Sequence, residues 1–145
     1  MDLKRDLYVR TFLLCGAVVP KEAANDFMGV ITEITLPREV PSLAMDLHCV
    51  IAIERGFDTQ PHGLQLSWLD PDERISDSTG IFAMPTPEGI TSLLVTSPLR
   101  VRWGLWKPGR YRLLLNIDGA LAAFCPLDIF AVDASALGLP PIRVN

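Results

Sequence analysis

Apolar and polar residues alternate most clearly around Asp118-Gly119. The stretch from Pro108 to Phe130 reads as two strands joined by that dipeptide, because a type I′ turn needs positive φ at both central residues. A two-residue loop pairs Ile117 with Ala120, Leu115 with Ala122 and Leu113 with Phe124. That register puts Tyr111, Leu113, Leu115, Ile117, Ala122 and Phe124 on the core face, with Arg112 and Asn116 on the other. Pro108-Gly109-Arg110-Tyr111 predicts the entry to a sandwich strand, where the tyrosine tucks inward and its hydroxyl bonds back to the backbone.

The alternation recurs along the chain. Leu7 to Cys15 predicts a first strand with the core row Leu7, Val9, Thr11, Leu13 and Cys15. Tyr8, Phe12 and Leu14 make its opposite row apolar too, so the strand is central or covered. Pro20 to Asp26 reads as a polar connection with one helical turn. Met28 to Leu36 is a β-branched second strand, and Met45 to Glu54 a third with the row Met45, Leu47, Cys49, Ile51 and Ile53. Leu64, Leu66 and Trp68 form the next core row, and Asp70-Pro71-Asp72-Glu73 has type I turn composition. Ile81 to Met84 is a short strand. Ile90 to Thr96 and Leu99 to Trp106 are strands divided at Ser97-Pro98. Asp133 to Gly138 reads as one helical turn. This pattern predicts an all-β fold, an antiparallel β-sandwich of about eight strands with immunoglobulin-like or related Greek-key topology. It is expected as a single domain over residues 1–145, with an extended C-terminal tail from residue 133 onward.

Several of these elements together resemble a known group. Leu13-Leu14-Cys15, a polar turn and Met28-Gly29-Val30 resemble the start of a family of small uncharacterised bacterial proteins, a domain of unknown function. The resemblance continues through Leu36-Pro37, the row from Leu47 to Ile53, His62-Gly63-Leu64-Gln65-Leu66 with Asp70-Pro71-Asp72, and Pro108-Gly109-Arg110-Tyr111 with Asp118-Gly119. It implies a β-sandwich without an assigned activity, and it brings no catalytic residue.

Composition narrows the function classes. A 49% hydrophobic share over 145 residues supports a substantial core and a buried interface besides. The net charge of −4 argues against nucleic acid and anionic membrane as partners. Cys15, Cys49 and Cys125 cannot all pair within one chain and show no CxxC spacing. They read as buried, reduced thiols of a cytoplasmic protein. Phe12-Leu13-Leu14-Cys15-Gly16 after Lys4, Arg5 and Arg10 is similar to a lipoprotein signal. Leu14 stands where a small residue is required, and Asp2 and Asp6 interrupt the basic segment, so no anchor is expected.

Chemistry-bearing residues are sparse. His48 and Cys49 are adjacent on a strand and point to opposite faces, and His62 reads as a loop residue. No Gly-x-Ser-x-Gly elbow, calcium loop or phosphate-cradling glycine run is present. The expectation is a non-enzymatic protein with no catalytic residue, metal or cofactor. Arg100, Arg102, Trp106 and Arg112 form a candidate patch for a polyanion or sugar if their strands pair directly. If the chain crosses between sheets at Tyr111, which the sandwich reading favours, the arginines separate. Tyr8, Phe12, Leu14 and Trp106 are the candidate interaction surface, with Val50 and Leu114 as further outward apolar residues. Its expected cover is the tail from Leu137 to Ile142 or a second subunit. The leading expectation is therefore a protein-interaction module, homodimeric or bound to an unknown protein partner. A ligand-binding module is the alternative, and a small hydrolase stands third.

Overall fold

The computed structural model describes residues 7–20, 25–56, 58, 60–85, 89 and 91–138. Among them, ten strands form two sheets. The four-stranded sheet runs β2 (Asn25–Val30), β1 (Tyr8–Pro20), β4 (Leu43–Glu54) and β8 (Ser92–Trp103). The six-stranded sheet runs β3 (Glu33–Pro37), β10 (Ala120–Val132), β9 (Gly109–Ile117), β5 (Gly63–Leu69) and β6 (Ile75–Ser78), and β7 (Phe82–Ala83) also pairs with β5. All pairs are antiparallel except β3 with β10.

The chain changes sheet between β2 and β3, β3 and β4, β4 and β5, β7 and β8, and β8 and β9. Leu47, Cys49, Ile51 and Ile53 of one sheet meet Leu64, Leu66, Trp68, Leu113, Leu115, Leu127 and Ile129 of the other in a single buried cluster. At the entry to β9 the Tyr111 hydroxyl donates to the Lys107 carbonyl at 3.0 Å and accepts from the Lys107 N–H at 3.2 Å. Sheet-crossing connections, a parallel pairing of an early strand with the last, and this tyrosine corner make the fold an immunoglobulin-like β-sandwich.

The Asp118-Gly119 turn has φ of 53° and 82°, and Ile117 faces Ala120 across it, as the dipeptide predicts. The register then departs from expectation. A bulge between Leu121 and Ala123 sets Leu115 opposite Ala123 and Leu113 opposite Cys125. One extra residue reverses the inward and outward parity beyond it. Ala122 and Phe124 are therefore exposed, and Cys125, Leu127 and Ile129 take the core positions.

A second bulge corrects the first strand. The register shift between Val9 and Thr11 leaves Arg10 as the extra residue, and Phe12 then faces Ile51 and Leu14 faces Cys49. Leu14 belongs to the core and Phe12 packs against it, so neither lies on an outer surface. Leu13 and Cys15 fall on the opposite face instead. Cys15 and its neighbour on that face, Val50, are still fully buried.

Three further expectations change. β1 runs on to Pro20, which faces Asn25 of β2, so the expected polar connection narrows to residues 21–24, which lie outside the described residues. The single strand expected from Met28 to Leu36 is two, because the chain leaves one sheet at Val30 and joins the other at Glu33. Ser97-Pro98 does not divide β8, which pairs with β4 from Ser92 to Trp103. Proline is tolerated there because β8 is an edge strand, whose outer side needs no N–H. The helical turn after β10 is a 3₁₀ turn over Ala134–Leu137. Residues 139–145 of the expected tail lie outside the described residues.

Replacing Gly119 with valine should lower stability by about 2 kcal/mol, because a β-branched residue resists positive φ. A Cβ at Gly119 would meet nothing within 4 Å, so the loss would report backbone strain alone. Equilibrium urea unfolding measures it, and equal stability of Gly119→Val and wild type would refute the turn assignment.

Candidate interaction face

Among the described residues, the outer face of the six-stranded sheet carries large exposed apolar residues near one another. Across its strands Phe124 stands opposite Leu114, Leu114 opposite Ser67, and Ser67 opposite Ser78. The next row places Pro126 opposite Arg112, and Arg112 opposite Leu69. On the other side, Leu121 faces Asn116, which faces Gln65. Leu121 is 60% exposed, Phe124 56% and Phe130, farther along β10, 48%. The β10 bulge creates this face, because residues three apart on a regular strand point to opposite sides.

Four of the charges on this face pair within the chain, while the exposed Glu33 of β3, opposite Asp128, has no ion pair among the described residues. Arg110 grips Asp128 through two hydrogen bonds, at 2.8 and 3.0 Å. Those bonds hold the Asp128 carboxyl below the usual carboxylate range. Arg112 lies 3.9 Å from Glu73. The face therefore presents an apolar centre and a rim of mixed sign.

The residues singled out from the sequence do not assemble into one surface. Tyr8 is exposed and pairs with Glu54, whereas Trp106 follows Trp103, which pairs with Leu43 at the opposite end of β4. Trp106 is half-buried, and its Nε1 donates to the Val40 carbonyl at 2.9 Å. With Phe12 and Leu14 turned inward, the expected set Tyr8, Phe12, Leu14 and Trp106 dissolves.

The expected arginine patch divides as well. Arg100 and Arg102 lie on β8 in one sheet and Arg112 on β9 in the other. Asp46, facing β8 from β4, sits 3.7 Å from Arg100 and 3.1 Å from Arg102. The three cysteines are buried and unpaired. Burial pushes the Cys125 thiol up to about 12 and raises those of Cys49 and Cys15 as well.

A polar cluster that sequence reading missed lies at the hairpin end. Asp118, the first residue of the β9–β10 turn, accepts from the Gly63 N–H at 2.8 Å and contacts His62 Nδ1 at 2.5 Å. The other ring nitrogen contacts Asp58 at 2.9 Å. Both ring nitrogens thus face oxygens that only accept, which suits the doubly protonated imidazolium. Burial pulls the His62 pKa down, but the bonds to Asp118 and Asp58 outweigh it, and the net shift is upward. The Gly63 N–H and then His62 lower Asp118. Burial raises Asp58, but the Gln60 N–H and His62 carry it below its ordinary value. Next to this cluster Arg55 is buried, and its Nε and Nη1 have no hydrogen-bond partner among the described residues. Among the described residues, no three histidine, cysteine, aspartate or glutamate side chains are grouped to hold a metal. No helix among them is long and apolar enough to cross a membrane.

Comparison with known proteins adds likeness of shape. No protein-family model matches the chain, and a search of curated proteins finds no match. Among solved structures, the chain is similar to an immunoglobulin-like protein from Pseudomonas aeruginosa. The identity is 13% and the TM-score 0.44, over 87% of this chain and 98% of that one. It is also similar to part of an alkylpurine DNA glycosylase from Pseudomonas fluorescens, solved with DNA containing an abasic-site analogue. There the identity is 9% and the TM-score 0.46, over 87% of this chain and 31% of that one. No residue role is carried over from either.

Two outcomes test the polar cluster. His62, with its raised pKa, stabilises the fold fully below its ordinary value, and that contribution is lost as pH rises through the raised one. Asp58 and Asp118, with lowered values, contribute above the ordinary carboxylate range and lose it as pH falls through theirs. The clamp is therefore complete between about pH 4 and pH 6.5. Urea unfolding should show His62→Gln closing its stability gap to wild type as pH rises well above that window. A gap that does not change with pH would refute the clamp. Arg55→Met should lower stability by about 1 kcal/mol or more, since it removes a cation that favours the charge of the part-buried Asp58 carboxylate. A gain in the same assay would show that Arg55 does not support Asp58.

Proposed function

We propose that the protein is a non-enzymatic interaction module that self-associates through the outer face of its six-stranded sheet. The exposure of Leu121 and Phe124 beside Leu114 and Pro126 carries this reading. Burying a large apolar side chain is worth roughly 1.5–3 kcal/mol, so several together can drive association. A stable interface takes about 800 Å² from each partner and has an apolar core within a polar rim. The Phe124 centre with its paired Arg110–Asp128 and Arg112–Glu73 rim follows that plan.

The rim also favours a second copy over an oppositely charged protein. A one-signed rim selects its opposite, whereas this one mixes both signs, so a like copy can set Arg110 and Arg112 against acidic groups. Closed two-fold pairing is the commonest way to bury such a face. Sedimentation at roughly 100 µM protein should find a dimer, with Phe124→Asp monomeric and its near-ultraviolet circular dichroism retained. A wild-type monomer at that concentration, or a Phe124→Asp dimer, would overturn the proposal.

A further inference from the structure

Asp118-Gly119 is the only aspartyl-glycyl pair in the sequence. Such a pair carries a chemistry of its own. The glycine backbone nitrogen can attack the aspartate side-chain carboxyl carbon, because glycine has no side chain to obstruct the approach. A C–N bond forms and the carboxyl C–O bond breaks. The carboxyl hydroxyl leaves as water, together with the glycine amide proton. Water then opens the resulting cyclic imide at either carbonyl. One opening restores aspartate, and the other continues the backbone through the side chain as isoaspartate. The reaction needs a protonated carboxyl with a hydroxyl to lose, a carbon aimed at the amide nitrogen, and access for water.

The fold supplies water and withholds the other two. Both turn residues are exposed, and nothing lies within 4 Å of where a Cβ on Gly119 would stand. The imide ring closes only when Cβ eclipses the amide nitrogen about the Cα–C bond. A type I′ turn holds ψ of its first central residue at about +30°, which sets Cβ nearly opposite that nitrogen. Reaction therefore requires the turn to open. Gly63 opposes the opening from β5. Its N–H donates to Asp118 Oδ1 at 2.8 Å, and its carbonyl accepts from the Asp118 backbone N–H at 2.9 Å. His62 holds the remaining oxygen, with Nδ1 2.5 Å from Oδ2, and Asp58 fixes the far side of the imidazole. Donors on both oxygens favour the carboxylate, the form with no hydroxyl to lose.

We infer that Asp118-Gly119 is a latent self-modification site, which forms isoaspartate when the hairpin end opens, and that His62 is the positioning residue that keeps it closed. The site lies in the turn and uses no group of the sheet face on which self-association is proposed, so either reading can fail alone. Conversion would not be silent in the fold. Isoaspartate adds a methylene to the backbone, and the two-residue loop that sets Ile117 opposite Ala120 no longer fits. The carboxylate would also leave its place between Gly63 and His62. A local opening would thereby become a lasting covalent change at the end of the sandwich.

The test ages the full chain at about pH 5, where the clamp is complete, and reads isoaspartate at residue 118 by peptide mapping with electron-transfer fragmentation. Ageing in ¹⁸O-water also counts the imides that reopen to aspartate, since each opening adds one heavy oxygen. Wild type held in urea gives the rate of the unfolded chain, and urea unfolding gives the unfolded fraction of each variant. Folded wild type should convert about a hundredfold more slowly than the unfolded chain. His62→Ala should convert about tenfold faster than folded wild type, and faster than its unfolded fraction accounts for. His62→Gln, which keeps a donor for Asp118 Oδ2, should recover part of the protection. Merely structural loss would raise the rate only in step with the unfolded fraction. The inference is overturned if the unfolded chain forms no isoaspartate at residue 118, if folded wild type converts as fast as the unfolded chain, or if both His62 variants convert no faster than their unfolded fractions account for.

Discussion

The crossing from β8 to β9 governs the rest of the structure. There the chain leaves the four-stranded sheet and enters the six-stranded one within a few residues, from Gly104 to Pro108. The Tyr111 hydroxyl holds both backbone groups of Lys107. The ring of Tyr111 lies against Trp103, the last residue of β8, and Trp103 meets Trp68 of β5. A hydrogen-bonded corner and an aromatic stack thus join three strands from both sheets. Aromatic pairs add about 0.5–1.5 kcal/mol each beyond the area they bury. The crossing also sets the chemistry, since it sends the β8 arginines and Arg112 to different sheets and leaves a cavity walled by Trp103, Trp106 and Tyr111 beside the corner.

What the sequence made legible is what alternation and turn chemistry encode. The rows Leu47 to Ile53 and Leu64 to Trp68 are buried as expected, and the type I′ turn and the tyrosine corner stand where their residues put them. The bulges were not legible. A bulge reverses parity, and parity can be read only when one face is polar. Leu13 and Leu14 are both apolar, and so are Ala122 and Ala123, so either register satisfied the pattern. The short break at Ile31-Thr32, both β-branched, likewise hid a change of sheet within an apparently continuous run.

The polar sites were obscured for a different reason. Their partners come from distant strands and are set by register. Asp46 neutralises Arg100 and Arg102 because β4 and β8 pair along twelve residues. Asp118 reads locally as a turn residue, and only the pairing of β5 with β9 brings it to His62, 56 positions away. A turn residue with a carboxylate side chain can cap a neighbouring strand, and that double use was the one available signal.

Sheet proteins associate either by adding strands at an edge or by stacking faces. The long edge strand β8 is poorly suited to the first. Pro98 interrupts its row of N–H groups, and the exposed residues that follow are Arg100 and Arg102. Proline and charge are the usual devices that keep an edge unpaired. On the outer face of the four-stranded sheet Cys15 and Val50 are fully buried, and the exposed apolar residues Val30 and Leu94 lie on separate strands, β2 and β8. The six-stranded sheet has neither protection, and its bulge turns Leu121 and Phe124 outward together. The self-association proposed for this face is therefore a stacking of sheet faces and not the addition of an edge strand.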